Sequence, residues 1–223
     1  HLIVQPKGGV EDPNKGIGTG PYKLTAAEPG VRYAFEKNKD DWDTTRGHYD
    51  GVEIIVINDT TARTSALQSG QVQIINRVDP KVAKLLARAP GVKVTNVAGR
   101  GHYVFIMHCN TAPFDNKDLR LALKYAINRQ EMVDKILDGY GSIGNDLPVN
   151  KAYPLFDETL PQREFSLEKA AEHYKASGHD GSPIEMIVAD GAFPGAVDAA
   201  ALFQQTAKAA GIPVRFAATK LVE

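Results

Sequence analysis

Lys15-Gly16-Ile17-Gly18-Thr19-Gly20-Pro21 sets three glycines at alternate positions beside a lysine and a threonine, a composition suited to cradling phosphate. A dinucleotide loop needs a strand before it and a helix after it, with the phosphate at that helix's N-terminus. Here the loop follows coil and runs into Pro21 and a strand pattern. A P-loop would end in Gly-Lys-Ser/Thr, and Pro21 removes a backbone N–H that an anion would need. The stretch is expected to turn the chain, not to bind nucleotide.

His102 and His108 invite a metal reading. On a strand they share one face, with Val104 and Ile106 between them. Six residues at about 3.3 Å each separate them by roughly 20 Å, too far for one ion. His108 alone would suit hydrogen bonding to a ligand if its strand borders a cleft, and a histidine satisfied by its neighbours is the plain alternative. Cys109, beside His108, points to the opposite face, so the two do not form a nucleophile–base pair. It is expected to be a small buried hydrophobe. Asp40, Asp41 and Asp43 read as a solvated face rather than as paired carboxylates for glycoside chemistry. Trp42 would line a groove or anchor its own loop. Tyr140 would contact a ligand from the long connection that it opens, because loops carry binding groups.

The elements that must position these residues fit an ordinary globular chain. It has 223 residues, 43% hydrophobic and 24% charged, with a formal net charge of −1. Such a balance gives no field for nucleic acid or an anionic membrane. One cysteine excludes an internal disulfide and a cysteine-rich metal site. Strand patterns fall at Tyr22 to Ala27 and Val31 to Lys37, joined by Glu28-Pro29-Gly30, and at Gly51 to Ile57. Further strands are expected at 72–75, 92–97 and 102–109. Helices are expected from Asp59 to Gly70 and from Asp79 to Pro90. Asn116 to Ile127 carries a stripe of Leu119, Ala122, Leu123, Ala126 and Ile127. Asn128 and Glu131 cap a restarted helix that ends at Gly139. A polar connection runs from Tyr140 to Gln162. Helix 167–177, strand 184–189, helix 194–210 and strand 212–217 then alternate as in an α/β layer. The domain boundary is expected near Arg100 to Tyr103. A start at His1 and an end soon after a strand read as a fragment or a processed chain.

Four motifs in order resemble one known family. Lys15 to Leu24, KGIGTGPYKL, followed by Phe35-Glu36-Lys37-Asn38-Lys39-Asp40-Asp41-Trp42, resembles its GTGPY turn, strand and E-x-N-x-x-Y/W run. Thr61 to Ile74, TARTSALQSGQVQI, is similar to its ATAR-x-x-AL-Q-x-G-E-VDI helix and strand. Asn110-Thr111, Pro113-Phe114-Asp115-Asn116 and Leu119 to Arg129 resemble its N-T, PF-D and VR-x-A-L-x-Y-A-I-D-R segments. The family is the extracytoplasmic solute-binding proteins of peptide and nickel ABC importers.

The resemblance implies an α/β, periplasmic binding protein-like fold (class II, peptide-binding type), two-lobed and partial here, with mixed sheets. Residues 1–101 would belong to lobe I and 102–223 would begin lobe II. The implied function is binding of a small peptide or related solute in an interlobe cleft, for an ABC permease in the inner membrane. The implied protein is a monomer, periplasmic or an extracytoplasmic lipoprotein, without cofactor, metal or catalysis. Asn76-Arg77-Val78 aligns with a segment bordering the cleft, and Ile106 and His108 align with ligand-facing strand positions. Arg77 would suit a carboxylate or phosphonate, and His108 a polar or anionic group. Peptide recognition through strand edges would leave side-chain pockets tolerant. A ligand-sensing domain of a regulator or chemoreceptor partner, and a hydrolase on the same scaffold, are the alternatives. The family's acidic anchor for a peptide amine would align beyond Glu223, so the chain alone is expected to bind peptides weakly.

Overall fold

Aromatic and β-branched residues at alternate positions build the first sheet. The computed structural model describes residues 4, 7, 16–97, 99 and 101–219. Strands β1 (Tyr22–Glu28), β2 (Arg32–Lys37) and β3 (Gly51–Ile55) are antiparallel in the order β1-β2-β3. Tyr33 pairs with Ile54 and Phe35 with Val52, so one face of the sheet is apolar. On the other face Arg32 bridges Glu28 and Glu53, both at 2.9 Å. Gly30 adopts φ 75 in the tight turn between β1 and β2, where Val31 N–H donates to the Glu28 carbonyl. Helix α1 (Thr60–Gln68) follows, its N-terminal Ala62 N–H satisfied by the Asp59 carboxylate.

The chain divides into two compact units, His1–Gln73 and Ile74–Glu223. In the second, helix α2 (Pro80–Leu86) starts with Asp79 as its cap and Pro80 at a position that needs no N–H. Helix α3 (Lys117–Tyr125) starts where the Asn116 side chain accepts from Asp118 N and Leu119 N. A short helix α4 (Arg129–Glu131), capped by Asn128, passes into a π-helical turn, Met132–Ile136. Helix α5 (Leu167–Ser177), strand β4 (Ile184–Val188), helix α6 (Ala196–Ala209) and strand β5 (Val214–Ala218) complete the unit. Strands β4 and β5 are parallel, with α6 as the crossover that parallel pairing requires.

The core gathers α3, α5 and α6 over β4 and β5. Leu119, Leu123, Phe203, Ile184, Ile212 and Val214 are buried there. Ala122 of α3 and Ala170 of α5 are both fully buried, and such small residues allow two helices to approach closely. His173 of α5 meets the Asp118 carboxylate of α3 at 2.8 Å and stacks on Tyr125.

Three expected strands are absent. Residues 72–75, 92–97 and 102–109 pair with no strand among the described residues, and a strand exists only as part of a hydrogen-bonded ladder. The alternation of 102–109 nonetheless persists. Phe105 and Met107 pack on the core while Val104, Ile106 and His108 are exposed. The helix expected through Gly139 is also replaced from Met132 by the wider π turn.

Candidate ligand-binding site

Arg77 and Val78 lead directly into α2, and Tyr140 follows two residues after Asp138, which pairs with Lys84 of that helix. Asn76 to Asp79 leads into α2, with Arg77 in the left-handed region at φ 52 and Val78 half-buried. Arg77 Nη2 donates to the Ala192 carbonyl at 2.5 Å. One turn on, the Lys81 ammonium pairs with Asp198 of α6. At the other end of α2, Lys84 binds Asp138 at 2.8 Å. Lys84 is held above the ordinary lysine range by its hydrogen bond to Asp138, then by that carboxylate's charge, with a smaller contribution from Tyr140. Tyr140 is half-buried, and its N–H donates to the Leu137 carbonyl at 2.8 Å.

Ile106 and His108 lie on the outward face of the extended run, Ile106 being 75% exposed. No hydrogen bond among the described residues joins the His108 side chain to Arg77 or Tyr140. Tyr103, near the start of this run, reaches the loop that Arg77 contacts. Its ring stacks on Phe193 with centroids 4.1 Å apart, beside the carbonyl that holds Arg77. Sequence reasoning did not find Lys81, Lys84, Asp138, Phe193 or Asp198. The Gly191-to-Gly195 turn signal marks a loop, but nothing local says that the loop meets residues more than a hundred positions earlier.

Elsewhere three expectations are corrected. Asp41 is not part of a solvated face, because both its carboxylate oxygens accept from the Arg46 guanidinium and its side chain is largely covered. Cys109 is exposed rather than buried, because Thr111 N–H closes a turn onto the His108 carbonyl and carries Cys109 to the surface. Trp42 does not anchor its loop by burial. It is 79% exposed and carries the Arg46 guanidinium 5.1 Å from its ring centre. In the glycine stretch the groups engaged are carbonyls. Thr19 O accepts from Arg46, Gly20 O from Asn38 Nδ2 and Pro21 O from Asn38 N. An anion cradle needs the opposite polarity. Gly16 has φ 57, and a Cβ there would meet the Leu24 side chain at 2.6 Å. Lys15 and Arg100 lie outside the described residues, as do the first three residues and the chain end from Lys220. Among the described residues, no group of three or more His, Cys, Asp or Glu side chains is placed to hold a metal ion.

The long connection from Tyr140 to Gln162 has neither helix nor strand, yet its two ends are tied together. Asn145 Nδ2 donates to Pro161 O, and Asn145 Oδ1 accepts from Arg163 N. Asp146 is shared by Arg129 and Arg163.

The α/β fold is that of the periplasmic binding proteins. It matches the binding protein DppA from Helicobacter pylori in complex with the peptide STSA, with TM-score 0.75 and 19% identity, covering 98% of this chain and 44% of that one. NikZ from Campylobacter jejuni in complex with Ni(L-His) matches with TM-score 0.79 and 17% identity, covering 97% and 47%. Residues 3–221 match the family model of bacterial extracellular solute-binding proteins, family 5 (middle), and the chain belongs to that family. A dipeptide-binding protein of Pseudomonas aeruginosa is 30% identical over 165 residues, covering 74% of this chain. The chain spans 31% of that relative's length.

Proposed function

We propose that the protein carrying this chain is the substrate-binding component of an ABC importer, taking a short peptide or related small solute in a cleft between two lobes. Membership of the solute-binding family across residues 3–221 carries this reading. The matched proteins' names and complexes include a dipeptide, the peptide STSA and Ni(L-His), two peptides and a nickel chelate of an amino acid. Residues 1–101 contribute to one lobe and 102–223 begin the other. Val78, Ile106, His108 and Tyr140 face the ligand, with Arg77 beside them. The protein works outside the cytoplasm, hands its solute to a membrane permease, acts as a monomer and turns nothing over. The logic is that of hiding polar ligand groups from water between closing surfaces.

Calorimetric titration of the gene product with di- and tripeptides and with Ni(L-His) tests this. Saturable micromolar or tighter binding of one of them is expected. Absence of binding across the whole set would overturn the proposal.

A further inference from the structure

Arg77 has an alternative to contacting the ligand, and its surroundings favour that alternative. A non-glycine residue in the left-handed region is strained, and persists where neighbouring contacts hold it. Here the neighbouring contact is the loop Ala189–Gly195, through the Ala192 carbonyl. One further contact falls on this loop and another on the helix it leads into. Tyr103 lies flat on Phe193, the two rings inclined by 14°. Lys81 pairs with Asp198 in the first turn of α6. From behind, Gly195 approaches so closely that a Cβ would sit 2.8 Å from Ile136 Cγ2.

Helix α6 needs this support. Its N-cap is Gly195, with no side-chain cap, and the nearest substitute is Asp190 Oδ1 accepting from Val197 N at 3.4 Å. The loop carries Gly191, Pro194 and Gly195 and is not part of a sheet. Within it two turns close, Ala192 N–H donating to the Ala189 carbonyl and Ala196 N–H to the Phe193 carbonyl, each at 3.0 Å. What sets these turns against the rest of the unit comes from outside the loop. The Arg77 guanidinium directs one N–H of its planar fork at a backbone carbonyl, and this fork loses less side-chain freedom per hydrogen bond than a lysine's flexible stem would.

We infer that Arg77 is a positioning residue, which sets the loop Ala189–Gly195 and the start of α6 against the ligand-facing segment instead of binding a ligand carboxylate. This rests on the proposed binding role, and it predicts that ligand charge is not what Arg77 reads.

The test compares wild type, Arg77→Ala, Arg77→Lys and Tyr103→Leu in the gene product. Hydrogen exchange at the amides of residues 190–197 is measured without ligand. Affinity is measured by calorimetry for one dipeptide and for the same dipeptide amidated at its C-terminus. Expected is exchange about tenfold faster in that loop for Arg77→Ala and for Tyr103→Leu. Arg77→Lys should remain close to Arg77→Ala. Affinity should fall by the same factor for the free acid and the amide. Unchanged exchange in Arg77→Ala, or a loss confined to the free-acid peptide, would overturn the inference. If neither peptide binds wild type, the binding proposal fails for peptides while the exchange measurement still decides the positioning role.

Discussion

The Arg46 guanidinium closes on the Asp41 carboxylate through two hydrogen bonds, Nε to Oδ2 and Nη2 to Oδ1, each 2.8 Å. The Asp41 side chain is 9% exposed, and the same guanidinium also reaches the Thr19 carbonyl and overlies Trp42. One fork-shaped cation thereby ties the glycine turn before β1 to the loop after β2. Two parallel bonds to one carboxylate fix geometry as well as charge.

That pair makes the N-terminal unit sensitive to acid. The Asp41 carboxyl is held below the ordinary aspartate range, chiefly by its hydrogen bond to Arg46. The folded state therefore binds this proton less readily than the unfolded chain does. The resulting stability is fully present above the unfolded aspartate's pKa of about 4 and is lost as pH falls through the lower folded value. Thermal unfolding between neutral and strongly acid pH should show a steeper acid-side decline for wild type than for Asp41→Asn. Superimposable profiles would remove Asp41 as a source of that dependence.

Core packing predicts a second contrast. Leu119 is 1% exposed at the centre of the helical layer, whereas Leu85 on α2 is 70% exposed. Leu119→Ala should cost about 2–5 kcal/mol in denaturant unfolding, through lost transfer energy and the cavity left behind. Leu85→Ala should stay within about 0.5 kcal/mol of wild type. Equal effects would contradict the assignment of the core.

Gly195 is fixed both by its backbone and by its neighbour. With φ 87 and Ile136 Cγ2 only 2.8 Å from a would-be Cβ, Gly195→Ala should destabilise by more than about 1 kcal/mol. Ile136→Ala removes the clash but leaves the backbone strain. The double variant should therefore recover part of the Gly195→Ala loss beyond additivity in a mutant cycle. Strict additivity would show that the close approach has no energetic weight.

How much of this was legible in the sequence depended on the range of the interactions involved. Helix α3 announces itself, because Asn116 caps it and Leu119, Ala122 and Leu123 recur at helical spacing, all within one short window. The β1–β2 hairpin is equally local, since Pro29-Gly30 supplies the turn. Residues 102–109 show the opposite case. Their alternation predicts which side chains face the core, and Phe105 and Met107 do so. Whether they form a strand depends on a neighbour that no local pattern contains. The candidate site residues sit on separate segments, and no local pattern relates one of those segments to another. The Arg77–Ala192 contact spans 115 positions, and no spacing rule foresees a guanidinium turning back onto a distant loop.

The outward face of 102–108 carries the most direct prediction for binding. Ile106 and His108 lie on one side of an extended run whose other side packs on the core. Their side chains can therefore be removed without opening a cavity. His108→Ala and Ile106→Ala should leave ligand-free thermal unfolding within about 0.5 kcal/mol of wild type. In the gene product, His108→Ala should weaken the tightest-binding peptide about 2–10-fold, the loss expected for one hydrogen bond. Ile106→Ala should weaken it through lost apolar contact, with little dependence on salt. Calorimetry on both variants checks this, and unchanged affinity in both would remove this face from the ligand site.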